Sequence, residues 1–75
     1  MSDPLLRYIE RRARFRKVNG EWLIEVPSSR AYPGNWMGVM RRDGSIAFVR
    51  ITALVRRLDR GQQLWRFHRT KAPVV

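Results

Sequence analysis

Three short turn signals divide the chain and constrain its fold more than any other feature: Asn19-Gly20, Asp43-Gly44 and Asp59-Arg60-Gly61. Asn-Gly and Asp-Gly put residues that tolerate positive φ where a type I′ turn needs them, so each marks a β-hairpin when strands flank it. The flanks of the first signal alternate with period two. Pairing Val18 with Glu21 sets Phe15 against Ile24, Arg14 against Glu25 and Ala13 against Val26. One face of this hairpin then carries Phe15, Trp22, Ile24 and Val26, with Lys17 at the rim. The other carries Arg14, Arg16, Val18, Glu21, Leu23 and Glu25. One apolar and one charged face is the pattern of a half-buried antiparallel sheet.

The second signal, read as a two-residue loop, pairs Arg42 with Ser45, Met40 with Ala47, Gly38 with Val49 and Trp36 with Ile51. The third, read as a three-residue loop with Gly61 left-handed, sets Val55 against Trp65 and Ala53 against Phe67. Ala47, Val49, Ile51, Ala53 and Val55 then share one inward face. The strand over 46–55 is long, and a bend is expected near Thr52. Residues 27–35, rich in Pro, Ser, Gly and Asn, read as a loop. Ahead of the strands, Asp3-Pro4 has the form of a helix N-cap followed by Pro at the first helical position. Leu5, Leu6, Ile9 and Ala13 follow at helical spacing, which predicts a short amphipathic α-helix over 4–12.

The fold expected from these elements is mainly β and a single domain over 1–75: the helix over 4–12, a five-stranded meander over 13–69 and a tail over 70–75. It resembles SH3-like barrels in hairpin order and size only. A strongly curved open antiparallel sheet is the alternative; the barrel is preferred because closure removes exposed sheet edges.

Composition narrows the function. At 75 residues the chain buries a limited fraction of its surface. It has no cysteine and one histidine, so no thiolate zinc site is available and no cofactor or metal is expected. No stretch approaches the roughly 18 apolar residues of a membrane span, and the N-terminus lacks the pattern of a secretory signal; a cytoplasmic protein is expected. Sixteen Lys and Arg against six Asp and Glu give a formal charge of +10. Such an excess favours anionic partners. Fourteen of the sixteen are Arg, whose planar fork suits phosphate.

Catalysis is not expected. His68 is the one general-base candidate near neutral pH, and no nucleophile with a third orienting group stands near it in the expected register. No acid pair and no phosphate-cradling glycine loop is present. The basic residues are the candidate site. With the 47–55 stripe, Trp65 and Phe67 inward, the outer face of the last three strands holds Arg41, Arg50, Arg56 and Arg66 with Phe48 and His68. Guanidinium groups neutralise phosphate and flat rings stack on bases, so this mixture suits nucleic acid. A second set, Arg11, Arg12, Arg14, Arg16 and Lys17, places five cations in seven residues, and the 27–35 loop adds Arg30 and Tyr32.

The leading expectation is a small, non-enzymatic nucleic-acid-binding protein with little sequence specificity, since no recognition helix is visible. Single-stranded nucleic acid or RNA is favoured over duplex DNA. The alternative is a protein-interaction module or inhibitor, in a viral or mobile-element setting, that docks or dimerises through outward Met37, Val39, Phe48, Leu54 and Leu64. A membrane-surface role through residues 4–17 is the least favoured.

Overall fold

A computed structural model describes residues 6–72. Asp3, Pro4 and Leu5 of the expected helix and residues 73–75 of the expected tail lie outside them. The architecture is mainly β: β1 (Arg14–Val18), β2 (Glu21–Pro27), β3 (Trp36–Met40), β4 (Ile46–Arg57) and β5 (Gln62–Thr70) form one antiparallel sheet. Strand β5 ends at Thr70, where the tail was expected to begin.

The first hairpin has the expected register, with Arg14 opposite Glu25, Phe15 opposite Ile24 and Val18 opposite Glu21. Asn19 and Gly20 both take positive φ (50° and 82°), as a type I′ turn requires. The second hairpin departs from expectation by one residue. Arg41 N donates to Ser45 O (2.8 Å) and Gly44 N donates to Arg41 O (3.0 Å), which closes a loop of three residues instead of two. Only Gly44 in that loop has positive φ. The Asp43 carboxylate holds the longer loop by accepting from the Ser45 amide (2.9 Å) and hydroxyl (2.6 Å). Met40 therefore faces Ile46, Gly38 faces Phe48 and Trp36 faces Arg50.

A one-residue slip moves every side chain of a strand to the opposite face. Met37 and Val39, expected to point outward, are fully buried and belong to the core, whereas Trp36, Gly38 and Met40 turn outward. The core is otherwise built from Ala13, Ile24, Val26, Val49, Ile51 and Trp65, with Phe15 and Phe67 packed against it.

The sheet order is β1-β2-β5-β4-β3, not a sequential meander, because β5 inserts between β2 and β4. Ile24 lies opposite Trp65, which buries the largest side chain of β5. The third loop closes with three residues, Leu58 N donating to Gln62 O (2.8 Å), and Gly61 is left-handed (φ 74°) as expected. The expected register holds only beside that loop. Irregularities between Ile51 and Ala53, and between Leu54 and Arg56, shift it to Ile51 opposite Phe67 and Leu54 opposite Trp65. The first falls at Thr52, where the bend was expected; bulges bend a strand and increase its twist.

The sheet does not close into a barrel. Strands β1 and β3 stay as separate edges, and among the described residues the β3 edge receives a single parallel bridge from Ile9, with Glu10 N donating to Gly38 O (2.9 Å). The N-terminal α-helix is likewise absent over the described residues: Leu6–Tyr8 is one 3-10 turn, Ile9 bridges to β3, and a turn over 11–12, with Ala13 N donating to Glu10 O (3.1 Å), leads into β1. A helix of about two turns is marginal by itself, and the sheet offers the segment a better position. Tyr8 meets Trp36 edge to face at 4.9 Å, and Ile9 lies over Gly38, where a Cβ would come within 3.5 Å of its Cγ1.

Candidate nucleic-acid interface

The gap between the two sheet edges opens a groove of about 1330 Å³. One wall is the edge of the first hairpin with the residues leading into it: Phe15, Lys17 and Trp22 stand on its inner face, Arg14 and Arg16 on its outer face, and Arg11 precedes it. The opposite wall is the tip of the second hairpin, with Met40, Arg41 and Arg42. Phe67 and Arg69 of β5 lie between the walls. Closure of the barrel would have sealed the inner face of β1 and β2. With the sheet open, that face ends in an aromatic surface, where Phe15 and Phe67 pack at 5.2 Å and Trp22 is 57 % exposed. Lys17 Nζ stands 5.9 Å from the Trp22 ring centroid, within cation–π range.

The groove wall carries seven cations and one carboxylate, Glu25. That carboxylate is already engaged. Arg16 Nη1 donates to Glu25 Oε1 at 3.0 Å, Gln62 Nε2 donates to Oε2 at 3.0 Å, and Arg14 Nε stands 3.5 Å away. Burial is the largest single influence on this carboxyl and opposes its ionisation. The hydrogen bonds from Gln62 and Arg16 and the charges of Arg14 and Arg16 together outweigh it, and hold the group below the ordinary carboxylate range. Glu25 thus fixes the wall and leaves most of its positive charge uncompensated.

Of the residues expected at the site, Arg11, Arg14, Arg16, Lys17 and Arg41 are brought together by this groove. Arg12 faces away, its Nε donating to Glu10 Oε1 at 3.3 Å. Arg30 is half-buried, with Nε 3.9 Å from Glu10 Oε2. Tyr32 is exposed on the loop, whose end is tied to β4 through Gly34 N to Ile51 O and Ile51 N to Asn35 O.

The outer face is a different surface from the one expected. The register does place Arg50, His68, Arg66 and Arg56 on one side of β4 and β5. Arg50 donates to Gly34 O (2.8 Å), however, and Arg66 pairs with Glu21 (3.1 Å). Phe48 is not an exposed stacking ring. It is buried (8 % exposed) beneath Trp36, with ring planes 14° apart and centroids at 5.4 Å. The slip in the second hairpin put Trp36 on this side to cover it. Trp36 itself is fixed by donating from Nε1 to Thr70 Oγ1 (2.9 Å). The apolar outer patch expected for protein docking is also lost, since Met37, Val39, Phe48 and Leu64 are buried and the exposed Leu54 lies opposite the core residue Trp65.

Sequence reasoning missed Trp22, Met40, Arg42, Phe67 and Arg69 as groove residues. A signal was present: Lys17 and Arg69 are cations at positions whose parity points them to the apolar face. Two cations there indicate that the face is not sealed at that end.

Among the described residues no cluster of three or more His, Asp or Glu is arranged to hold a metal, and no helix is long and apolar enough to cross a membrane. Comparison with protein-family models, with curated proteins and with solved structures finds no match to this chain.

Proposed function

We propose that the protein binds single-stranded nucleic acid in the groove between its sheet edges, without catalysis and with little sequence preference. The observation that carries this reading is the combination of seven cations with an exposed tryptophan in one open groove. Guanidinium groups on both walls meet a phosphate backbone from either side, and Trp22 offers a flat ring to a base. Phosphate contacts are blind to sequence, and aromatic stacking nearly so. The groove exceeds the roughly 300–1,000 Å³ of small-molecule pockets, which suits a polymer. An unpaired strand can turn its bases onto the ring; a duplex keeps them stacked internally.

The test is a salt titration of binding to labelled single-stranded DNA, RNA and duplex DNA of equal length, followed by fluorescence anisotropy. About four neutralised phosphates give a slope near −2.8 in log affinity against log salt for single strands, or about a 50-fold loss between 50 and 200 mM. The single strands are expected to bind more tightly than the duplex. Absence of binding to all three at low salt refutes the proposal and directs attention to a protein partner.

A further inference from the structure

We infer that the path of the strand continues from the groove across the start of β1 into a second pocket that recognises phosphate alone. This inference rests on the groove being a single-strand site. The pocket, about 580 Å³, lies beside the groove and shares Arg11 and Arg14 with it. Its remaining charge comes from Arg12 and from Arg60 in the third loop, and its donors are completed by Ser28 and Ser29.

The lining decides the ligand class. Four guanidinium groups and two hydroxyls surround a space that no aromatic ring and no carboxylate lines. Such a set binds phosphate oxygens through charge-assisted hydrogen bonds and offers nothing for a base to stack on. Arg12 and Arg14 are partly committed to Glu10 and Glu25. Arg11 and Arg60 have no ion-pair partner among the described residues, so they retain their charge for a ligand.

The floor of the pocket is held in place from three elements. Gln62 Nε2 donates to Arg12 O (3.2 Å) and to Glu25 Oε2 (3.0 Å), which ties the start of β5, just after the third loop, to the approach to β1 and to β2. Gly61 lines the space with its left-handed backbone (φ 74°), and a Cβ there would make only ordinary contact with Ser28 Oγ (3.7 Å). Because the ridge between groove and pocket is formed by Arg11 and Arg14, a backbone crossing it stays in contact with guanidinium groups throughout.

The experiment is a length series of 5′-labelled oligothymidines of about 4 to 16 nucleotides, measured with the intact chain, with Arg60→Asn and with Arg57→Gln. Asn tolerates the left-handed backbone that Arg60 adopts (φ 63°), so the loop is preserved. Arg57 lines neither depression and controls for the loss of one charge. The expected result is that Arg60→Asn matches Arg57→Gln on the shortest oligomers. On the longer ones it falls at least about threefold below, with a salt slope shallower by about 0.7, the contribution of one phosphate contact. Equal behaviour of the two variants at every length, or an equal deficit of Arg60→Asn at every length, overturns the second pocket while leaving the groove intact. Failure of the unaltered chain to bind any oligomer at low salt overturns the groove, and this inference with it.

Discussion

Truncation of Phe48 to alanine separates the structure described above from a flat aromatic platform. The ring is 8 % exposed, stacked on Trp36 and in reach of the position where Gly38 lacks a Cβ (3.1 Å from its Cε1). Buried Phe→Ala changes cost about 3–5 kcal/mol, the transfer of the ring plus the cavity it leaves. The lower end applies here, because Trp36 and the Tyr8–Ile9 segment lie on the outer side and can settle into part of the space. A loss of about 3 kcal/mol is therefore expected. A 75-residue chain holds about 4–11 kcal/mol in all at ordinary stability per residue, so the change removes between a quarter and most of the total. In a thermal melt it appears as a drop of about 12–24 °C, and in a urea titration as a lower midpoint with little change in slope. Oligonucleotide affinity, corrected for the folded fraction, is expected to stay the same. If Phe48→Ala proves too unstable, Phe48→Leu keeps most of the volume and costs less than about 1.5 kcal/mol, and the same affinity comparison applies. A loss below about 1 kcal/mol combined with a clear loss of binding would be incompatible with a covered Phe48 and would return the ring to an exposed binding face.

Trp22→Ala is expected to do the opposite. The ring is more than half exposed at the groove, so stability changes by less than about 1 kcal/mol, while loss of one stacked base at about 1–3 kcal/mol weakens single-strand binding about 5- to 150-fold. Unchanged affinity in the anisotropy assay would remove Trp22 from the site. For Glu25 the expectation concerns pH. Its carboxyl is held below the ordinary value in the folded state, so its contribution is fully present above the unfolded value near 4.3 and is lost as pH falls from there through the folded value. Glu25→Gln is expected to melt below the parent at pH 6, by about 1–2 kcal/mol after allowance for the exposure of its Arg partners. The two curves should converge as pH falls through the folded value. Asp43, also held low, chiefly by the Ser45 hydroxyl and amide, contributes to both proteins and cancels in the difference. A gap independent of pH would show that the Glu25 charge is not what the pair loses.

Local chemistry determined a large part of this protein from sequence. The Asn19-Gly20 turn and its alternating flanks specified a complete hairpin register, because two positive-φ residues in succession leave the flanking strands one way to pair. Gly61 specified the third loop for the same reason. The charge excess, the absence of cysteine and the crowding of cations over 11–17 were equally legible, since they need no knowledge of neighbours in space.

Tertiary structure decided the rest. Asp43-Gly44 permits a loop of two or three residues, both common in hairpins. The choice follows from what each register buries: the three-residue loop puts Met37 and Val39 into the core and gives Trp36 to Phe48. The insertion of β5 between β2 and β4, and the exchange of a short helix for a strap over Gly38, likewise depend on partners far away in sequence. These long-range choices leave the sheet open. The open sheet turns an inner apolar face, with Lys17 and Arg69 at its end, into a basic aromatic groove. Hairpins follow from neighbouring residues, but a groove lies between edges, and which strands become edges is settled only when the whole core packs.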